Sequence, residues 1–255
     1  MPTSRIRTDG QAPFVWVVLD APAKRNALDT EALRGLAETV HRLAADPEVA
    51  VIGLRAEGDH FCAGADIDEL RALGSSATAR EHARIGQAAC NALEQAPVPV
   101  VAAIQGYCVG GGLELAMSAD IRIATPDARF GQVELGIGSI AAWGGMRRLP
   151  RLVGVAVAKD LVFSARHIDA VEARVRGLIN DVVEDGDLVT AIEQRTEHLL
   201  TAPRLALAAS KRALDHWADV PLAAGLEDDR ETFAWLMEGD EFQDGVSRFL
   251  ARSGR

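Results

Sequence analysis

The segment from Gly106 to Glu134, GYCVGGGLELAMSADIRIATPDARFGQVE, constrains this chain more than any other. Ahead of it, Val98 to Ile104 is a short apolar run bounded by prolines and Gly106, the pattern of a buried strand. Gly110, Gly111 and Gly112 follow, and Leu113 to Ser118 reads as the start of a helix. A strand, a glycine turn and a helix start in that order gather free backbone N–H groups at one point. Glycine also lets a ligand or another backbone approach them closely. Glu114 stands just behind the turn, and Glu134 follows Phe130-Gly131-Gln132-Val133. A carboxylate beside an anion site points to chemistry in which an oxyanion forms and two carboxylates move protons.

The rest of the chain alternates strand and helix signals. Phe14–Leu19 (FVWVVL) and Val49–Leu54 read as strands, and Asp20–Asp29 as a loop broken by Pro22 and Asn26. Thr30 is the expected cap of a helix carrying Leu33, Leu36, Ala37, Val40 and Leu43 at helical spacing. The loop HFCAGADIDEL (60–70) leads into a short helix, and Ala77–Ala96 is a longer one closed by Pro97 and Pro99. Asp120–Ala124 reads as a strand and Pro126–Gly145 mostly as loop. Met146–Ala165 is helical with interruptions at Pro150 and Gly154, and Ile179–Val183 is a last strand. From Leu188 the pattern is helical only, over 188–201, 204–218 and 221–238, with a tail ending FLARSGR. This is an α/β core with a helical C-terminal region. The acidic run Glu227, Asp228, Asp229, Glu231 reads as a solvated helix face.

With 255 residues and 48% hydrophobic content the chain can bury a sizeable core. A net charge of −10 argues against nucleic acid as a partner, because phosphate backbones need a concentrated basic surface. Cys62, Cys90 and Cys108 show no paired spacing, so neither a disulfide framework nor a zinc site is expected, and a reducing cytoplasm is the expected location. Met1–Pro13 has no apolar core, and no run approaches 18 apolar residues. Neither a signal peptide nor a membrane span is expected. The six histidines lack paired metal-ligand spacing; His60, just ahead of the FCAGAD loop, is the one to re-examine. Gly136-x-Gly138-x-x-Ala141 lacks the strand and helix that a dinucleotide fingerprint requires. Neither a P-loop nor a G-x-S-x-G elbow occurs.

Taken together, FCAGADIDEL (61–70), PVVAAIQGYCVGGGLELAMSADIRIA (99–124), ARFGQVELGIG (128–138) and GGMRRLPRLVG (144–154) resemble the enoyl-CoA hydratase/isomerase, or crotonase, family. KRNALD (24–29), IDAVEARVRGLINDVV (168–183) and FQDGVSRFLARS (242–253) extend the resemblance over nearly the whole chain. It implies a spiral of ββα repeats over about 1–190, carrying an acyl-CoA site, and a helical region over 191–255 that builds trimers or hexamers. It also implies an oxyanion hole made by the backbone N–H groups of Ala65 and Gly111. Glu114 would hold a water and Glu134 would handle the Cα proton. Lys24, Arg25, Ala27, Ala63, Asp66 and Ile67 would contact coenzyme A, which is part of the substrate, so no separate cofactor is expected. The implied activity is hydration of a 2-enoyl-CoA. The alternatives are a Δ3-Δ2 isomerase or another crotonase-type enzyme and, from another class, a non-catalytic acyl-CoA-binding protein. Arg147, Arg148 and Arg151 read as structural or subunit-interface cations.

The sequence departs from the family's pattern behind Glu134. The usual Pro-Gly turn is replaced by Ala141 and Ala142, and Trp143 precedes Gly144-Gly145. Ala142 and Trp143 are therefore candidate substrate contacts. An indole there would narrow the acyl pocket, stack on an acyl group or face another subunit.

Overall fold

The structure, a computed structural model, describes residues 5–184 and 187–252. Six strands form the large sheet in the order β1 (Ile6–Gln11), β2 (Phe14–Leu19), β3 (Val51–Ala56), β4 (Val100–Ile104), β6 (Ile121–Ala124), β9 (Asp181–Val182). Within this sheet, among the described residues, only the β1–β2 pair is antiparallel. The second sheet is β5 (Tyr107–Val109), β7 (Arg129–Gly131) and β8 (Ile168–Asp169). The parallel strands need helical crossovers, and the sequence supplies α1 (Thr30–Ala45), α2 (Ile67–Ala72), α3 (Ser76–Glu94), α4 (Gly111–Ala116), α5 (Gly145–Val153), α6 (Val155–Ser164) and α7 (Ala170–Val175).

The chain advances by a strand in the large sheet, a strand in the small sheet, then a helix. β4, β5 and α4 make one such unit, and β6, β7 and α5 the next. Between β4 and β5 the chain turns at Gly106 (φ +54°), where an added Cβ would lie 2.0 Å from the carbonyl oxygen of Asp59. The turn therefore brings the end of β4 against the loop that carries residues 59–66. Both faces of the large sheet are covered, which is why β2 is apolar at every position. Val15, Val17 and Leu19 face the main core with Leu33, Leu36 and Val40 of α1. Trp16 and Val18 face a smaller core closed by Ile192 of α8 (Leu188–Thr196).

Every described element from Leu188 on is helical: α8, a 3-10 turn at Glu197–Thr201, α9 (Arg204–Asp215), α10 (Leu222–Met237) and α11 (Asp240–Arg252). The end of the tail, residues 253–255, lies outside the described residues. Lys211 of α9 ties this region to the sheet: its Nζ donates to the carbonyls of Leu93 and Val98 and to Asp120 Oδ2 at 2.8 Å.

Several local expectations need correction. β1 was not anticipated: it is polar and mostly exposed, paired along one edge only. The cap of α1 is Asp29, whose side chain accepts from the N–H of Ala32, while Thr30 is already helical. The loop expected over 126–145 contains β7 and a 3-10 turn at Glu134–Ile137. Pro150 lies inside α5 without breaking it. The helix ends instead at Gly154 (φ +79°), and α6 starts afresh.

Candidate active site

Two loops meet at the end of β4 and β5. The first, residues 62–66, is joined to the second by a backbone bridge between Cys62 and Cys108, with Cys62 N–H donating to the Tyr107 carbonyl and Val109 N–H to the Cys62 carbonyl. On its other side it is laced to the 24–28 loop. Ala63 N–H donates to the Arg25 carbonyl, Leu28 N–H to Gly64, and Asp66 N–H to Leu28. Gly64 and Gly110 permit the meeting. Their φ angles are +95° and +56°, and a Cβ on Gly64 would stand 3.0 Å from the Gly111 nitrogen. Ala65 and Gly111 thus come together at the junction. Among the described residues, neither of their N–H groups donates to a protein acceptor. Backbone amides in a folded interior are almost always paired, so two free ones on touching loops form a pair of donors ready for one acceptor oxygen.

Glu114, on the first turns of α4, is only 2% exposed. Its Oε1 accepts the N–H groups of Trp143 at 2.8 Å and Gly145 at 2.7 Å. Burial pushes its carboxyl up to about 8, and the charge of Glu134 adds to the rise; the two N–H groups and Arg148 oppose it. Glu134 opens the 3-10 turn behind β7, with its side chain beside Gly110. Burial raises its carboxyl too, opposed first by the side chain of Gln132. Gln132 Nε2 donates to both Glu134 oxygens, at 2.8 and 3.0 Å, while its own buried Oε1 has no partner among the described residues. A Cβ on Gly145 would sit 3.0 Å from both Gln132 Oε1 and Glu114 Cγ. Gln132 therefore lies between the two carboxylates.

The turn behind Glu134 is held from several directions. Trp143 is 3% exposed. Its ring lies against Gly86 of α3 and Gly111, with the His82 ring 5.9 Å away. Arg148 donates to the Trp143 carbonyl at 3.1 Å and pairs with Glu94 and Asn91 of α3. The Ala142 carbonyl accepts from Gln87 Nε2 at 2.8 Å. Arg148 is thus structural, Arg147 is exposed, and Arg151 pairs with Asp219 in the connection between α9 and α10.

The remaining sequence candidates gather on the opposite lip. Asp66 is buried and caps α2 through the N–H groups of Asp68 and Glu69. Its carboxylate also pairs with Lys24 Nζ at 2.7 Å, and that ammonium above all holds its carboxyl below the ordinary value. Asp66 fixes Lys24 and the Ala65 turn. Arg25 is exposed, its guanidinium 5.9 Å from the centre of the Tyr107 ring. Ala27 and Ala63 are half-buried and Ile67 is 61% exposed, forming an apolar rim beside these cations. His60 makes a structural contact, accepting the Tyr107 N–H at Nδ1. Sequence reasoning did not assign Gln132 a role; its place two residues before Glu134 was the available signal. Cys62 and Cys108 are fully buried, and burial pushes the Cys62 thiol up to about 12, which removes it as a nucleophile.

Comparison with known proteins identifies the family. Residues 10–254 match the enoyl-CoA hydratase/isomerase family. The chain is 34% identical over 237 residues to a short-chain-enoyl-CoA hydratase of Clostridium acetobutylicum, covering 92% of this chain and 90% of that one. It is 37% identical over 231 residues to the mitochondrial methylglutaconyl-CoA hydratase of Rattus norvegicus, covering 88% and 73%. The crystal structure of enoyl-CoA hydratase from Bacillus anthracis superposes with a TM-score of 0.92 at 30% identity, over 97% of this chain and 96% of that one. Match, fold and site geometry together place this chain in the enoyl-CoA hydratase/isomerase family.

Proposed function

We propose that this chain is an enoyl-CoA hydratase. The observation that carries the reading is two unspent amides, Ala65 and Gly111, on touching loops, with two buried carboxylates behind them. A thioester carbonyl seated between the amides has its oxygen stabilised as negative charge develops. Such donors are worth roughly 3–4 kcal/mol of barrier each. Glu114 takes a proton from water, and the water oxygen bonds to Cβ. The Cα–Cβ π electrons move into the enolate, whose oxygen is held by the two amides. The enolate then collapses, and Cα takes the proton of Glu134. One carboxylate must start ionised and the other protonated. Burial raises proton affinity at both positions, which suits a pair in which one carboxyl carries a proton. Burial is the main cause of the rise at Glu114 and Glu134's negative charge a smaller one; when Glu134 carries the proton, that repulsion goes and Glu114 loses its proton more easily.

Lys24 and Arg25 stand exposed at the open lip, where they would meet the phosphates of coenzyme A, with Ala27, Ala63 and Ile67 along the passage. Assembly to a trimer or hexamer through the C-terminal helices is supported by their apolar surface. Trp217, Phe233 and Trp235 are 68%, 60% and 56% exposed, and a groove of about 510 Å³ runs between α9, α10 and α11. Light scattering at a monomer mass would count against that assembly. A cytoplasmic location fits three free, buried cysteines. The activity is tested by adding the protein to crotonyl-CoA. Loss of the enoyl absorbance supports hydration; an unchanged absorbance with bound thioester would mark a binding protein instead.

A further inference from the structure

Trp143 touches both halves of the proposed machinery by different parts of the same residue. Its backbone N–H donates to Glu114 Oε1 at 2.8 Å. Its six-membered ring lies so close over Gly111 that an added Cβ there would be 2.3 Å from Cζ3. The other side of the indole rests on Gly86, where a Cβ would be 2.3 Å from both Cδ1 and Nε1. The backbone of Trp143 is fixed in turn by Arg148 on its carbonyl, and the ring is 3% exposed. Gly111 opens α4 behind Gly110, whose cap has no side-chain hydrogen bond. The Gly111 N–H shares its peptide plane with the Gly110 carbonyl, which accepts from the N–H groups of Leu113 and Glu114 and from Gln132 Nε2; the indole packs on the Cα at the other end of that plane and so limits where Gly111 can sit.

Resting on the hydratase reading above, we infer that Trp143 is a positioning residue. Its indole wedges between α3 and the oxyanion glycine, and this holds Gly111, and with it the Gly111 N–H, in place. Because the same residue donates to Glu114, it also keeps the water-holding carboxylate in register with that amide. Gly86 is the seat of the wedge: it permits the indole to lie flat on α3, and it touches no reacting group. A merely space-filling Trp143 would matter to stability alone. A positioning Trp143 matters to every step that passes through the enolate.

The two roles separate in a pair of assays on the full chain. Hydration of crotonyl-CoA needs the oxyanion amides, Glu114 and Glu134. Exchange of the Cα hydrogen of butyryl-CoA with deuterium oxide needs the amides and Glu134 but adds no water. Trp143→Phe is expected to lower kcat for both on the order of 10-fold, and Trp143→Ala on the order of 100-fold, a scale typical of sub-ångström to ångström misplacement. KM for crotonyl-CoA should move less than about 3-fold, since the coenzyme contacts lie on the other lip. Gly86→Ala, which drives a methyl into the indole, should reproduce the loss in wild type and add little in the Trp143→Ala background, a coupling that a double-mutant cycle reads directly. Should Trp143→Ala fail to fold, Trp143→Phe and Gly86→Ala carry the test. Folded variants with unchanged kcat in both assays, or with hydration lost and exchange intact, overturn the inference about Gly111. A wild-type protein inert in both assays overturns the hydratase reading itself, and the positioning role with it.

Discussion

Gly145 donates its N–H to Glu114 Oε1 across 2.7 Å, in a pocket where the glutamate is almost wholly removed from water. This one contact, with its twin from Trp143, is what the interior offers a charge that burial penalises. The balance still favours the proton, with the carboxyl raised to about 8 from an ordinary value of 4.5. The folded chain therefore binds a proton more tightly than the unfolded chain between those values, and wild-type stability falls as pH rises through that window.

Glu114→Gln should consequently be stabilising. The amide oxygen accepts the same two N–H groups, and the new NH2 lies near the unpartnered Gln132 Oε1. The expected result is a melting temperature equal to wild type near pH 4.5 and progressively above it toward pH 8, measured by calorimetry across the series. Hydration should fall by about 100-fold or more in the same variant, the usual scale for losing a general base. A variant less stable than wild type at pH 8 would show that the buried charge is better compensated than burial implies.

Glu134→Gln separates the two carboxylates. Cα exchange of butyryl-CoA should drop by about 100-fold or more, because the proposed mechanism gives the Cα proton to Glu134. Glu114→Gln should leave that exchange within a few-fold of wild type. Equal losses in both variants would mean that the two residues act as one unit and not in separate roles.

Gly64→Ala tests the meeting of the loops. The backbone there has φ +95°, which an L side chain rarely adopts, and the new methyl would press on the Gly111 nitrogen at 3.0 Å. A cost of about 1–3 kcal/mol is expected, read by denaturant titration, together with a loss of kcat larger than the change in KM.

Lys211→Met addresses the attachment of the helical region. The ammonium is mostly buried and satisfies Asp120 and two carbonyls. Burial already raises the carboxyl of Asp120, and Lys211 opposes that rise. Removing the cation leaves a largely buried acid with the Val100 N–H and the Arg122 charge as its remaining support, at a cost of up to roughly 3–5 kcal/mol. Asp120→Asn combined with Lys211→Met should recover much of it, measured as melting temperature.

How much of this was legible beforehand follows from length and periodicity. The 98–118 stretch was readable because strand β4 is apolar at every position and the glycines that follow have few structural uses. Ala65 became legible only through the family resemblance, since nothing in AGAD by itself says which amide stays unpaired. β1 and β7 were missed because an edge strand exposes most of its residues and a three-residue strand carries no period. Trp143 was visible as a departure, but its position against Gly86 and Gly111 depends on two glycines far apart in sequence that only the fold brings together. Gln132 was hidden for a similar reason: its role rests on lying between Glu114 and Glu134.

The central claim is that water adds across the Cα–Cβ bond while the two carboxylates move its protons. It is tested most directly by converting crotonyl-CoA in deuterium oxide and, separately, in oxygen-18 water, with the product analysed by mass spectrometry. The expected product is a 3-hydroxyacyl thioester bearing one solvent deuterium at Cα and one solvent oxygen at Cβ, each absent when the corresponding label is omitted. Deuterium at carbon without oxygen-18 uptake, or an unaltered thioester, would contradict it.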